Sequence, residues 1–290
     1  MPVKSRFLKH RLQNTAILSL LFFQGPAQAE LYLCGIPLAE GNPVIEENYK
    51  KVAQQLSTLM HETVTYAAPK NMREYSEKIR GGNYDLVMDG SHLAAWRIAN
   101  LQHQPVAQTN ETLQFRVVSR ADIPQITSIK DLINRPVCVQ PIPVLATLEL
   151  LELYPNPINQ PVLKYVASNV PATYKGLVNG ECDAIILPEA YYQGALDDKQ
   201  REQLRTLHQT PERTGLVLTA SPRINSQQLE ALKNHLIHPG TEDAPLLQAL
   251  GETIARGKAE QVQWSEVNIK QLRGLEKLLP QYSLEWRVQK

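Results

Sequence analysis

The chain has 290 residues, 43% of them hydrophobic, with 30 Lys plus Arg against 29 Asp plus Glu and three cysteines. That composition excludes a disordered tail, a fibre and a disulfide-dense miniprotein. A formal charge of +1 leaves no footprint for nucleic acid, which a phosphate-tracking protein meets with a clear excess of cations.

Residues 1–29 read as a secretory signal peptide. Lys4, Arg6, Lys9 and Arg11 form a basic front, Thr15 to Phe23 an apolar run, and Ala27-Gln28-Ala29 a small-x-small cleavage site. The nine-residue run is too short to span a bilayer, which takes about 20 residues. Cleavage removes four cations and no acid, so the 261 residues from Glu30 carry 26 basic and 29 acidic groups, a net charge of −3. No later apolar stretch reaches membrane-spanning length, and the mature chain is expected to be soluble in an oxidising compartment.

Leu31 to Cys34 is a short strand running into Gly35-Ile36-Pro37, and Ile45, Tyr49, Val52, Leu56 and Leu59 recur at helical spacing. Residues 63–67 form a second strand, and Met72, Tyr75 and Ile79 mark a helix stopped by Gly81-Gly82. Residues 85–88 are a third, buried strand, turned by Asp89-Gly90-Ser91 into a helix from His92 to about Asn100. After a lone strand at 113–120 the rhythm restarts, with strands at 137–140, 162–166 and 184–187, each followed by a helix. A second lone strand is expected at 214–220, then helices at 226–236, 244–255 and 266–279. The pattern is that of two open α/β sheets joined by two crossing strands. Ligands of open α/β sheets sit outside the carboxyl ends of the strands, so the strand-end loops converge on a cleft between the lobes. Cys138 and Cys182, both at the start of buried strands in the second half, are the pair placed to bridge; the default for buried cysteine is three small reduced hydrophobes.

Catalytic motifs fail. His61-Glu62-Thr63-Val64-Thr65 has Thr where a zinc-protease motif needs its second His, and Gly251 to Lys258 departs from a phosphate loop in spacing and lacks its hydroxyl. A hydrolase built on His92 with Asp89 lacks a spaced set of metal ligands, so no enzyme, metal or cofactor is expected.

Three stretches in order carry a resemblance: Gly81-Gly82-Asn83-Tyr84-Asp85-Leu86-Val87-Met88-Asp89-Gly90-Ser91-His92, then Ser128-Ile129-Lys130-Asp131-Leu132 with Arg135-Pro136-Val137-Cys138-Val139, then Lys175 to Ala184. They resemble the phosphate/phosphite/phosphonate-binding family of periplasmic ABC-transporter receptors. The resemblance implies the two-lobed type II periplasmic binding protein fold, with lobe 1 at 30–118 plus 215–290 and lobe 2 at 119–214. It also implies hinge closure on a small-molecule ligand, presented by a monomer to a membrane permease. A sensor or accessory module without a transporter needs only the same cleft. In phosphonate-binding members the loop opening lobe 2 is rich in Ser and Thr; here it is Gln140-Pro141-Ile142-Pro143-Val144, without hydroxyls and with two prolines that lack amide donors. The ligand is therefore not expected to be a phosphonate.

The strand-end loops nominate Pro37, Ser91, His92, Pro141, Ile142, Pro143, Asn169, Glu189 and Tyr191 as ligand-binding residues. Glu189, Asp89 and the tyrosines suit a cation or an amine. Glu189 could instead start a helix, and Ser91 could cap one.

Overall fold

The computed structural model describes residues 30–35, 43–166, 169–254 and 262–288. The leader 1–29 and Pro37 lie outside the described residues. The first sheet is built on three parallel strands, β1 (Leu31–Gly35), β2 (Val64–Tyr66) and β3 (Leu86–Gly90). They are joined by α1 (Pro43–Met60) and α2 (Met72–Arg80). Tyr49, Val52, Ala53, Leu56 and Met60 lie along one stripe of α1, and that stripe is buried against the sheet. Asn71 caps α2 by accepting the Glu74 amide at 2.9 Å, and Gly82, at φ +65°, turns the chain away from its end.

α3 (Ser91–Leu101) leads into β4 (Gln104–Thr109), and the chain then passes through β5 (Thr112–Leu113) into the second sheet. There β6 (Phe115–Arg120) lies antiparallel to β9 (Ala184–Pro188), next to parallel β7 (Pro136–Val139) and β8 (Val162–Tyr165). The helices of this lobe are α4 (Leu145–Glu152), α5 (Val170–Val178), α6 (Glu189–Gly194) and α7 (Asp198–Glu202). The chain leaves through β10 (Leu204–Gln209), crosses back in β11 (Arg213–Thr214) and re-enters the first sheet as β12 (Leu216–Ala220). α8 (Ser226–Ile237), α9 (Ala244–Ile254), β13 (Trp264–Ser265), α10 (Ile269–Leu272) and α11 (Leu278–Tyr282) complete it.

The sheet orders are β13-β4-β12-β3-β1-β2 and β10-β6-β9-β7-β8. Each repeats one plan: a first parallel strand between the second and third, with the strand arriving from the other lobe antiparallel beside the third. The order reverses at β1 and at β7, so the crevices open at the carboxyl ends of β1 and β3 and of β7 and β9.

Three expectations are corrected. The lobe boundary drawn at 118/119 falls inside β6, which pairs along its length with β9 and β10 of the second sheet; the crossing comes earlier, at 110–114, where β5 pairs with β11. The lone strands at 113–120 and 214–220 are each two strands, with Gln114 and Gly215 as the breaks. The helix expected at 266–279 is broken at Gly274, whose φ of +90° no α-helix accepts. Leu272, Leu275, Leu278 and Leu279 are nevertheless all buried.

One apolar cluster runs through both lobes. It joins Leu93 and Trp96 of α3 to Val137 and Val139 of β7, Leu145 and Leu148 of α4 and Leu279 of α11. The cysteines are not all reduced: Cys138 and Cys182 form a disulfide, with Cα atoms 5.6 Å apart, and Cys34 is a buried free thiol.

Candidate functional site

β3 ends in Asp89 and Gly90, and the chain turns directly into α3. The cap residue of α3 is Gly90, which has no side chain to offer, so Ser91 is the first helical residue and does not serve as the cap. A Cβ on Gly90 would lie 3.0 Å from Cε1 and 3.1 Å from Nδ1 of His92, so glycine here lets the imidazole fold back over the turn. The Ser91 side chain is fully buried and that of His92 is 2% exposed. The Ser91 Oγ and His92 Nδ1 atoms have no hydrogen-bond partner among the described residues. Leaving such atoms unpaired costs about 1–3 kcal/mol each, so a group that bonds them is favoured at this turn.

The other ring nitrogen of His92 is engaged. Its Nε2 donates to the carbonyl oxygen of Pro143 in the opposite lobe at 2.8 Å. Pro143 is buried, Ile142 packs against the shared apolar cluster, and Pro141 is exposed at the tip of the loop. Burial holds the His92 imidazole down to about 4, against an ordinary 6.5. Burial and the nearby Arg97 hold His103, in the same lobe, down to about 3. Both rings bind protons less readily folded than unfolded. The unfolded chain therefore takes up more protons between pH 6.5 and 4, and stability falls as pH falls through that window. Thermal unfolding of the wild type should show this decline, with a shallower slope in His92→Gln; equal slopes would remove His92 as its cause.

The facing loop of the second lobe is poor in donors. The α4 cap is Val144, without a side-chain cap bond, and Leu145 and Ala146 of the first turn are buried apolar groups. Thr147, the nearest hydroxyl, is spent on the carbonyl oxygen of Gln140 at 2.6 Å.

Glu189 is not free to take a cationic ligand. Arg116 grips its carboxylate with two 2.7 Å hydrogen bonds, Gln193 adds a third at 2.8 Å, and the guanidinium stacks on Tyr192 with 4.4 Å to the ring centre. The Arg116 hydrogen bonds hold the Glu189 carboxyl below its usual range. Arg116 and Glu189 are 73 residues apart and meet only because β6 pairs with β9, so no local sequence signal announced the pair. Asn169 is the α5 cap, accepting the Ala172 amide at 2.9 Å, and Tyr191 lies half-buried, its ring 6.3 Å from that of Tyr174.

A recess of about 260 Å³ lies beside the crossing strands, lined in part by Thr112, Gln114, Glu189 and Glu212. Two of its polar side chains are already paired. Gln114 bonds Thr210 and Gln209, and Glu189 is held as above. Of the buried side-chain atoms without a partner among the described residues, Tyr84 Oη, Ser119 Oγ and Trp264 Nε1 lie on separate elements, whereas Ser91 Oγ and His92 Nδ1 are adjacent at a strand end, which makes the α3 turn the better site.

Asp89 is likewise committed, which corrects its expected place in a cationic cradle. Its fully buried carboxylate receives two hydrogen bonds from Arg97, at 2.5 and 2.7 Å, and a third from the hydroxyl of Tyr75. Arg97 also donates to Thr219 Oγ1 at 3.0 and 3.1 Å, and His103 shares that hydroxyl. The pair ties the second turn of α3 to the strand end just before Ser91 and His92. Among the described residues no three His, Cys, Asp or Glu side chains gather as a metal site, and no helix is long and apolar enough to cross a membrane.

Residues 35–260 match the family model described as "ABC transporter, phosphonate, periplasmic substrate-binding protein". The chain belongs to this family. It is a periplasmic substrate-binding protein of the ABC-transporter type. No curated protein matches this receptor. Among solved structures it is similar to XAC2383 from Xanthomonas citri bound to ATP, with a TM-score of 0.68 at 14% identity, covering 87% of this chain and 97% of that one. It is also similar to PhnD1 from Prochlorococcus marinus in complex with methylphosphonate, with a TM-score of 0.61 at 18% identity, covering 86% and 96%. A third is the binding protein component of an ABC phosphonate transporter from Pseudomonas aeruginosa, with a TM-score of 0.56 at 13% identity, covering 86% and 87%. At these identities the likeness carries the two-lobed type II periplasmic binding fold and not the ligand.

Proposed function

We propose that this receptor, exported by cleavage after Ala29, closes its two lobes on a small ligand held at the first turn of α3 and presents it to a membrane permease. The observation that carries the reading is the hydrogen bond from His92 to Pro143 across the lobes, beside the buried, unpartnered Ser91 Oγ and His92 Nδ1. Lobe closure both makes that contact and encloses those atoms, as hinge-bending receptors require. The ligand is not a phosphonate or phosphate. An oxyanion needs several donors at once, and the loop Gln140 to Val144 has no hydroxyl, two prolines and an apolar helix start behind it. The commitment of Asp89 to Arg97 also leaves His92 without a carboxylate partner, which supports a binding role over hydrolysis.

Thermal-shift measurements on residues 30–290 test this reading against methylphosphonate, phosphate, amino acids, polyamines and polyols. A ligand at a hundredfold excess over its Kd stabilises by about 2.7 kcal/mol, which is readily seen. We expect the shift from a compound other than the oxyanions, and its loss in Ser91→Ala and His92→Leu. A shift from methylphosphonate alone would show the ligand exclusion to be wrong.

A further inference from the structure

His92 makes a demand of its own on whatever fills the cleft. Pro143 offers a carbonyl oxygen, which only accepts, so the hydrogen on the His92 ring must sit on Nε2. Burial keeps the ring neutral over the whole physiological range. Nδ1 therefore carries a bare lone pair, and it is buried with no donor facing it among the described residues. The neighbouring Ser91 hydroxyl, also buried and unpartnered, can either donate or accept.

Resting on the receptor reading above, we infer that the ligand presents a hydrogen-bond donor, a hydroxyl or an N–H group, to Nδ1 of His92, with Ser91 Oγ as its second contact. A fully ionised oxyanion has only lone pairs to bring, and one facing Nδ1 meets repulsion where a bond is needed. A hydroxyl or ammonium group completes the acceptor and removes the cost of leaving it buried alone. The cleft thus selects hydroxylated or amine-bearing solutes through a tautomer set by the opposite lobe.

Two measurements test this. In protein carrying heavy-nitrogen histidine, the proton of the His92 ring is expected on Nε2 with Nδ1 bare near pH 7, the resonances being assigned from their absence in His92→Gln. A proton on Nδ1 overturns the inference. In thermal-shift titrations near pH 7, glycerol and myo-inositol probe hydroxyls, ethylamine and putrescine probe ammonium groups, and sulfate, which carries no proton there, probes a donor-free oxyanion. We expect stabilisation by at least one hydroxyl or ammonium probe. Affinity for that probe should fall tenfold or more in His92→Leu, and less in His92→Gln, whose amide can donate to Pro143 and still accept through Oε1. Stabilisation by sulfate alone, or by no hydroxyl or ammonium probe, overturns the inference. If that oxyanion shift is abolished by Ser91→Ala and His92→Leu, the site stands and only the donor assignment falls. A shift indifferent to both variants removes the site itself.

Discussion

Replacing Arg97 with Met is expected to lower the unfolding free energy by about 3–5 kcal/mol, the usual effect of removing one partner from a buried ion pair. The Asp89 and Arg97 side chains are 0% and 1% exposed, so neither charge has water to fall back on. Arg97 places four hydrogen bonds, two on Asp89 and two on Thr219, and Met leaves Asp89 with Tyr75 alone. For a chain of this size each kcal/mol moves Tm by about 2–4 °C, so a drop of roughly 6–20 °C should appear in a melting curve. The Arg97→Met/Asp89→Asn double variant removes the stranded charge and should recover part of the loss. A double variant as unstable as the sum of the singles would mean that the charges do not interact. Because the pair anchors the strand end at residue 89, Arg97→Met should also weaken binding at Ser91 and His92 without touching ligand, while Ser91→Ala weakens binding with little loss of stability.

How much of this was legible in the sequence depends on where each signal came from. The buried parallel strands were readable because strands covered on both faces are short apolar runs, and Leu86 to Met88 and Ala184 to Leu187 are of that kind. β4 was not readable because Pro105 interrupts it. The strand survives because Pro105 sits at an irregular register, where β4 carries the extra residue Val106 between Ala107 and Pro105, the partners of Leu218 and Thr219. β10 is an edge strand of mixed polarity, with Arg205 and His208 among its six residues, and carries no clean alternation. At the site, the placement of Ser91 and His92 followed from the strand-end rule, which needs only topology. The engagement of Glu189 by Arg116 and of Asp89 by Arg97 did not, since those partners are chosen by strand pairing and by the path of α3 under the sheet. A carboxylate in a cleft loop reads from sequence as available; only the fold shows which cation has taken it.

Removing the disulfide, with Cys138→Ala and Cys182→Ala together, is expected to lower stability by up to about 4 kcal/mol, the loop-closure entropy of a bridge spanning some 44 residues. Both sulfurs are buried in the cluster formed by Val118, Leu177, Ile185 and Leu187, and a Cβ on Gly176 would lie 3.1 Å from Cys138 Sγ, so α5 lies directly against the bridge. Reductant should therefore act on the native protein only as fast as this part of the second lobe opens. The apolar cluster shared by β7, α3 and α4 couples that lobe to the first, so calorimetry should record one transition moved downward and not a separate early step. Thiol counting checks the pairing itself. Cys34 is buried, its thiol pushed up to about 12 chiefly by desolvation, so the folded chain should take no alkylating label. Unfolded without reductant it should take label at Cys34 alone, and after reduction at Cys34, Cys138 and Cys182. Label on all three before reduction would mean that the bridge does not form in the protein, and the stability difference between the double alanine variant and the wild type should then shrink to that of two small core substitutions.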